Sequence, residues 1–267
     1  MTSPAIDHAT PPSEDPVEIH DRLLFDRIVA EYRRKDAASS SSAIRRYQVA
    51  RCVEPVLGTS GRVDTIVEVG CGLGRAARYL KGRYNRYLGI DHSVQMIEEA
   101  RRLNADCPAD FLCANIKSTE IPSKIGDLVI LLGALHHMLD VGQVMESLHR
   151  IARPGAHFVA FEPNRGNPLI QGLRRIRQRL DPSYSEDQRY FTREELRDLI
   201  TGHGIKEVQV QYQGYLSTPF AEVVLRPQFV FTPLARLAQG MDLLLDNYLP
   251  GPVRFLSWNL IAWGRFA

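Results

Sequence analysis

The sequence predicts an α/β domain with a doubly wound, mostly parallel seven-stranded sheet and helices on both faces. Two observations carry that reading. From residue 63 short β-branched runs alternate with helical patterns, as successive β-α-β units require. The first of these runs ends in three glycines, "VEVGCGLGRAARYL" over residues 67–80, where a strand turns directly into a helix. Sheets of this kind bind ligands beyond the carboxyl ends of their strands.

Each element has its own signal. Residues 1–16 hold four prolines among Ser, Thr, Asp and Glu and read as a disordered tail. They lack the basic and apolar regions of a secretory signal. Residues 17–267 read as one domain. Val17 to Tyr32 has helical spacing through Ile19, Leu23, Leu24, Ile28 and Val29. The serine run at 39–42 interrupts it and offers N-caps for a second helix over Ala43 to Leu57. These helices, within residues 17–60, are expected to form a lid carrying Tyr32 and Tyr47. The strands are "DTIVEVG", "RYLGID", "ADFLCANI", "GDLVILLGAL", "HFVAFEP", "KEVQVQY" and the closing "WNLIAWGRF". Helices begin at Arg75 and cover 93–103 and 141–152, and Pro154-Gly155 reads as a turn. Thr192 and Glu195 in "FTREEL" have capping-box spacing. Two long insertions, 163–190 and 213–255, break the rhythm.

Composition excludes several classes. A formal net charge of +2 argues against a nucleic-acid partner. The four cysteines show neither C-x-x-C pairing nor metal-ligand spacing, so no metal is expected and the thiols read as reduced and cytoplasmic. No window approaches the roughly 18 apolar residues of a membrane span.

The glycines stand as G-x-G-x-G, with Arg75 where a dinucleotide fingerprint would continue to its third glycine. Asp91 ends the second strand, where a carboxylate can accept hydrogen bonds from ribose hydroxyls. It marks a ribose without naming the ligand. A nicotinamide-dependent oxidoreductase and a catalytically silent cofactor-binding scaffold both remain open on these residues.

Taken together, "VEVGCGLGR", "LGIDHS", "FLCANI", "GDLVILLGALHHM" and "IARPGAHFVAFEPN" resemble the successive motifs of class I S-adenosylmethionine-dependent methyltransferases of the small-molecule type. The resemblance covers about residues 44–212 and the closing strand. It implies a Rossmann-like sheet whose last strand is antiparallel and inserts beside the fifth, with S-adenosyl-L-methionine as cofactor. By that resemblance Glu68, Gly70, Cys71, Gly72 and Gly74 surround the methionine half, Cys71 simply filling the turn. Asp91 holds the ribose, and His92 and Met96 flank the adenine. Asn115, beside Ile116, offers its carbonyl to the adenine amine, and Leu132 and Gly133 offer backbone contacts. His136 and His137 follow the fourth strand at the acceptor edge and are the candidate catalytic bases.

Both insertions emerge at that edge, where variable material sets the acceptor. In "NPLIQGLRRIRQRL", Leu169, Leu173, Ile176 and Leu180 share one helical stripe. Arg174, Arg175, Arg177 and Arg179 surround it, with no acid from Gly166 to Leu180. The second insertion is rich in Leu, Phe and Trp, while Arg236, Asp242 and Asp246 preclude a membrane span. Segments 169–180 and 229–249 therefore suit peripheral membrane contact or an anionic acceptor. The expected reaction is methyl transfer to a hydrophobic or lipid-linked small molecule, at oxygen before carbon or nitrogen.

Overall fold

A computed structural model describes residues 16–180 and 189–267. The tail expected over residues 1–16 lies outside the described residues except for Pro16, which opens α1 (Pro16–Ala37). Helix α2 (Ser39–Leu57) precedes β1 (Val63–Val69), α3 (Arg75–Tyr79), β2 (Tyr84–Asp91), α4 (Val94–Leu103) and β3 (Ala109–Cys113). Strand β4 (Gly126–Leu132) leads through a 3-10 turn, Leu135–His137, to α5 (Val141–Ile151) and β5 (Ala152–Pro163). Then follow α6 (Pro168–Leu180), α7 (Arg193–Gly202), β6 (Lys206–Gln213), α8 (Thr218–Glu222), α9 (Gln228–Tyr248) and β7 (Asn259–Arg265).

The sheet order is β3-β2-β1-β4-β5-β7-β6. Pairing is parallel from β3 through β5, and β7 runs antiparallel between β5 and β6. Chain order reverses between β1 and β4. Loops leaving those neighbours on the carboxyl side diverge to opposite faces and open a crevice there.

Alternation along the strands explains the two-sided core. Val67, Val129 and Leu131 turn to one face, where they meet Val144 and Leu148 of α5 and Leu196 and Ile200 of α7. Ile66, Leu128 and Ile130 turn to the other, against Val49 and Cys52 of α2, Ala76 of α3 and Ile97 of α4. Trp263 of β7 donates its indole N–H to the Cys52 carbonyl at 2.7 Å, tying α2 to the last strand. Side-chain caps define three helix starts: Ser93 for α4, Asp140 for α5, and the reciprocal Thr192–Glu195 box for α7.

Two local expectations are corrected. The serines at 39–42 do not precede α2; they form its first turn, behind an uncapped Ala38. Their hydroxyls have partners elsewhere, Ser41 donating to the Ala221 carbonyl at 3.0 Å and Ser39 bonding Thr232 at 2.6 Å. Those contacts replace the capping role. Pro154-Gly155 does not end an element either. It lies inside β5, where pairing jumps from Gly126–Ala152 to Leu128–His157, a bulge rather than a break.

Candidate functional site

The glycine turn after β1 folds as the residue types demand. Gly72 and Gly74 have φ of +50° and +64°, the left-handed region that side chains disfavour. They differ in what surrounds them. A Cβ on Gly74 would lie 2.5 Å from the Phe111 ring, whereas one on Gly72 would meet nothing within 4 Å. Gly74 is thus required by packing, and Gly72 leaves backbone open to a ligand.

Asp91, at the end of β2, accepts from the Gly72 N–H at 2.8 Å and the Ser93 N–H at 3.0 Å. The carboxylate braces the turn against the start of α4. Burial raises its pKa above the ordinary aspartate value. A carboxylate has about four lone-pair sites, so acceptor capacity remains for hydroxyl donors. Glu68 is buried beneath the turn and accepts from the Tyr87 hydroxyl. Desolvation pushes its carboxyl up to about 8.

All the predicted site residues except Gly74 line one cavity of about 630 Å³ at the carboxyl ends of β1 and β4. Asn115 is already engaged. Its side-chain carbonyl accepts from the Lys117 N–H at 3.0 Å, and its amide donates to Glu18 of α1 at 3.1 Å. Helix α1 contributes Asp21, Phe25, Ile28 and Tyr32, one helical face, to the cavity wall. It is held by Asp26, which accepts from the Ser93 hydroxyl at 2.5 Å, and by Asp36, which pairs with Arg45 at 3.3 Å and Arg78 at 3.2 Å. Tyr32 is half-buried, and its phenol is pushed up to about 12 by desolvation. Tyr47 is not part of this wall; its hydroxyl bonds Asp246 of α9 at 3.3 Å.

At the other end of the cavity stands the histidine turn. Glu162, completely buried near the end of β5, accepts from the Leu135 N–H at 2.9 Å and the His136 N–H at 3.3 Å. The same carboxylate meets His136 Nδ1 at 2.7 Å. With Glu162 ionised, Nδ1 carries the proton and Nε2 is the accepting nitrogen of the ring. His136 stacks on Tyr190, centroids 5.7 Å apart. His137 is placed differently, edge-on to Phe25 at 5.1 Å and with Nδ1 3.7 Å from Asp21.

Glu162 and Tyr87 join the site without being singled out by the sequence pattern. A signal existed for the first: a lone acid in the apolar strand "HFVAFEP" is either misplaced or paired. Tyr87 offered none, since aromatic residues are common in strands. Exposed apolar residues rim the cavity, with Leu139 just past the histidine turn, Leu173 of α6 and Val223 after α8 all lining it. Among the described residues no group of three or more His, Cys, Asp and Glu is placed to hold a metal.

A family profile described as "Methyltransferase domain" matches residues 67–160, the stretch holding the glycine turn, Asp91 and both histidines. This chain belongs to the class I S-adenosylmethionine-dependent methyltransferases. It is an enzyme of that family, and S-adenosyl-L-methionine is its cofactor. It is 24% identical over 247 residues to the "Probable tocopherol O-methyltransferase, chloroplastic" of Oryza sativa subsp. japonica, covering 82% of this chain and 67% of that one. To the malonyl-[acyl-carrier protein] O-methyltransferase of Pseudescherichia vulneris it is 26% identical, over 71% of this chain and 75% of that one. A solved S-adenosylmethionine-dependent methyltransferase from Thermotoga maritima shares the fold with a TM-score of 0.63 at 17% identity, covering 92% of this chain and 99% of that one. The nicotinamide alternative raised by the glycine spacing falls with this assignment.

Proposed function

We propose that this methyltransferase transfers a methyl group to an oxygen of a hydrophobic or lipid-linked small molecule. One observation carries the reading. A single cavity joins the glycine turn to His136 and opens between exposed apolar residues. Its polar half suits the cofactor and its apolar mouth suits a greasy acceptor. Both relatives described above carry names that make them O-methyltransferases.

The residues fit the cofactor chemically. Asp91 supplies acceptors for ribose hydroxyls, and open backbone at Gly72 admits close approach. Leu132 and Gly133 bring backbone groups, while His92, Met96, Asn115 and Ile116 wall the adenine side. Glu68 supplies a buried carboxyl toward the cationic amino-acid half. When bound, the cofactor supplies an electrophilic methyl group on a sulfonium centre. Everything else falls to the protein. The cavity holds the acceptor oxygen in line, which by itself can supply a large share of the acceleration. His136 Nε2 accepts the proton that a phenol or alcohol must lose, while Glu162 stabilises the resulting imidazolium through Nδ1.

The test is transfer of radiolabelled methyl from S-adenosylmethionine to a panel of alkyl phenols, prenylated phenols and small polar acids. Label is expected in the organic phase with the apolar hydroxylated compounds. Methylation of only the polar acids overturns the acceptor class. Saturable cofactor binding with no transfer to any compound would identify a silent scaffold instead.

A further inference from the structure

The cavity explains an acceptor but not the apolar surface around it. Among the described residues, 17 large apolar side chains are exposed, and 14 of them lie between Leu169 and Phe255, in the two insertions. Patches of this size on one region of a chain mark a contact surface. On α9 the exposed residues Val230, Leu234, Leu237, Met241, Leu244 and Tyr248 recur at spacings of four and three. They form a continuous ridge along a helix of about 30 Å.

Charge is distributed just as unevenly. The chain contains 31 Asp and Glu residues, yet none occurs from Gly166 to Leu180 or from Val223 to Met241. The two acids that α9 does carry face inward. Asp242 is buried and accepts from the N–H groups of Tyr215, Leu216 and Ser217. Asp246 bonds Tyr47 and the Gly214 N–H. Arg236 on α9 and Arg226, just ahead of the helix, are both basic and exposed. On α6, Leu169, Leu173 and Arg175 are exposed in a segment whose sequence holds four arginines and no acid.

We propose that the outer faces of α6 and α9 dock on an anionic lipid bilayer. Apolar side chains enter the interface while arginines meet lipid phosphates, the pattern of a surface-bound amphipathic helix. Among the described residues no helix is long and apolar enough to cross a membrane. A second copy of the chain fits less well, because pairing two such faces opposes arginines with no acid to partner them. The cavity mouth adjoins both segments: Leu173 of α6 lines it, and so does Val223, in the connection from α8 to α9. Docking there lets a membrane-dissolved acceptor reach the site without crossing water. The docking itself stands apart from which atom is methylated.

The test uses the full chain floated with phosphatidylcholine vesicles, with and without phosphatidylglycerol. Binding to the anionic vesicles is expected to be at least about tenfold stronger and to be lost at high salt. The double variant Leu237→Asp/Leu244→Asp, at exposed positions, is expected to abolish flotation while cofactor affinity stays within about twofold of wild type. Equal binding to neutral and anionic vesicles, no binding to either, or undiminished flotation of the variant overturns the proposal. So does light scattering that shows a wild-type dimer converted to a monomer by the same substitutions, which would give the face to a second copy. Methyl transfer to detergent-dispersed acceptors tests the acceptor chemistry separately.

Discussion

Glu162 and His136 lie 26 residues apart in sequence, yet the Glu162 carboxylate meets His136 Nδ1 at 2.7 Å and also accepts two N–H groups of the same turn. One buried carboxylate therefore fixes both the backbone and the ring of a residue in the cavity wall. Replacing it with Gln keeps the shape but withdraws the charge that favours imidazolium. Glu162→Gln is expected to lower the maximal rate roughly 10- to 100-fold with cofactor affinity unchanged. Glu162→Ala orphans two buried N–H groups as well and should cost about 1–3 kcal/mol in denaturant titration. A Glu162→Gln enzyme with wild-type rate and pH profile contradicts the positioning role.

The two histidines should separate in kinetics. His136→Gln is expected to reduce methyl transfer to a phenol by about 100-fold or more, with the pH dependence of the rate flattened on its acid side. His137, packed against Phe25 of α1, should on substitution to Gln raise the KM for the cofactor or acceptor and change kcat less than about tenfold. The reverse pattern transfers the base to His137.

Glu68 is expected to make cofactor binding depend on pH. Burial opposes its ionisation and pushes the carboxyl up to about 8. A cationic ligand favours the ionised form, so binding releases a proton below that value. Affinity for S-adenosylmethionine is expected to rise with pH up to about 8 and then level. The ligand-free protein behaves oppositely. Between the ordinary glutamate range and about 8 the folded state binds more protons than the unfolded state, so stability falls as pH rises through that window. Glu68→Gln should remove both trends, read by calorimetric titration and thermal melts across pH.

The glycines offer a paired test. Gly74→Ala places a Cβ against Phe111 at a left-handed residue, and is expected to destabilise by roughly 2–4 kcal/mol through strain and overpacking. Gly72→Ala meets no neighbour in the protein, so its stability loss should be about 1–2 kcal/mol. Its larger effect should be a loss of cofactor affinity. Equal losses of affinity from the two substitutions would contradict the assignment of Gly72, and not Gly74, to the cavity.

These contrasts show which parts of the molecule local sequence can announce. The sheet was readable because strand periodicity and glycine spacing are local, and Asp91 and His136 stand at strand ends where the topology gathers ligands. Glu162 was not, because its partners come from a different loop. The serine run misled for a related reason. Hydroxyls that suit a cap were taken up by α8 and α9, some 180 residues away in sequence. Leu169 and Leu173 share a helical stripe in the sequence, but periodicity alone does not say whether a stripe meets core or solvent; here Ile170 is buried and the two leucines are exposed.

The most direct measurement is a calorimetric titration of the ligand-free protein with S-adenosylmethionine, repeated on Asp91→Ala. Saturable binding to the wild type is predicted, weakened roughly 10- to 100-fold in the variant by loss of charge-assisted hydrogen bonds to the ribose. No binding to the wild type, or undiminished affinity in a folded Asp91→Ala protein, would contradict the account.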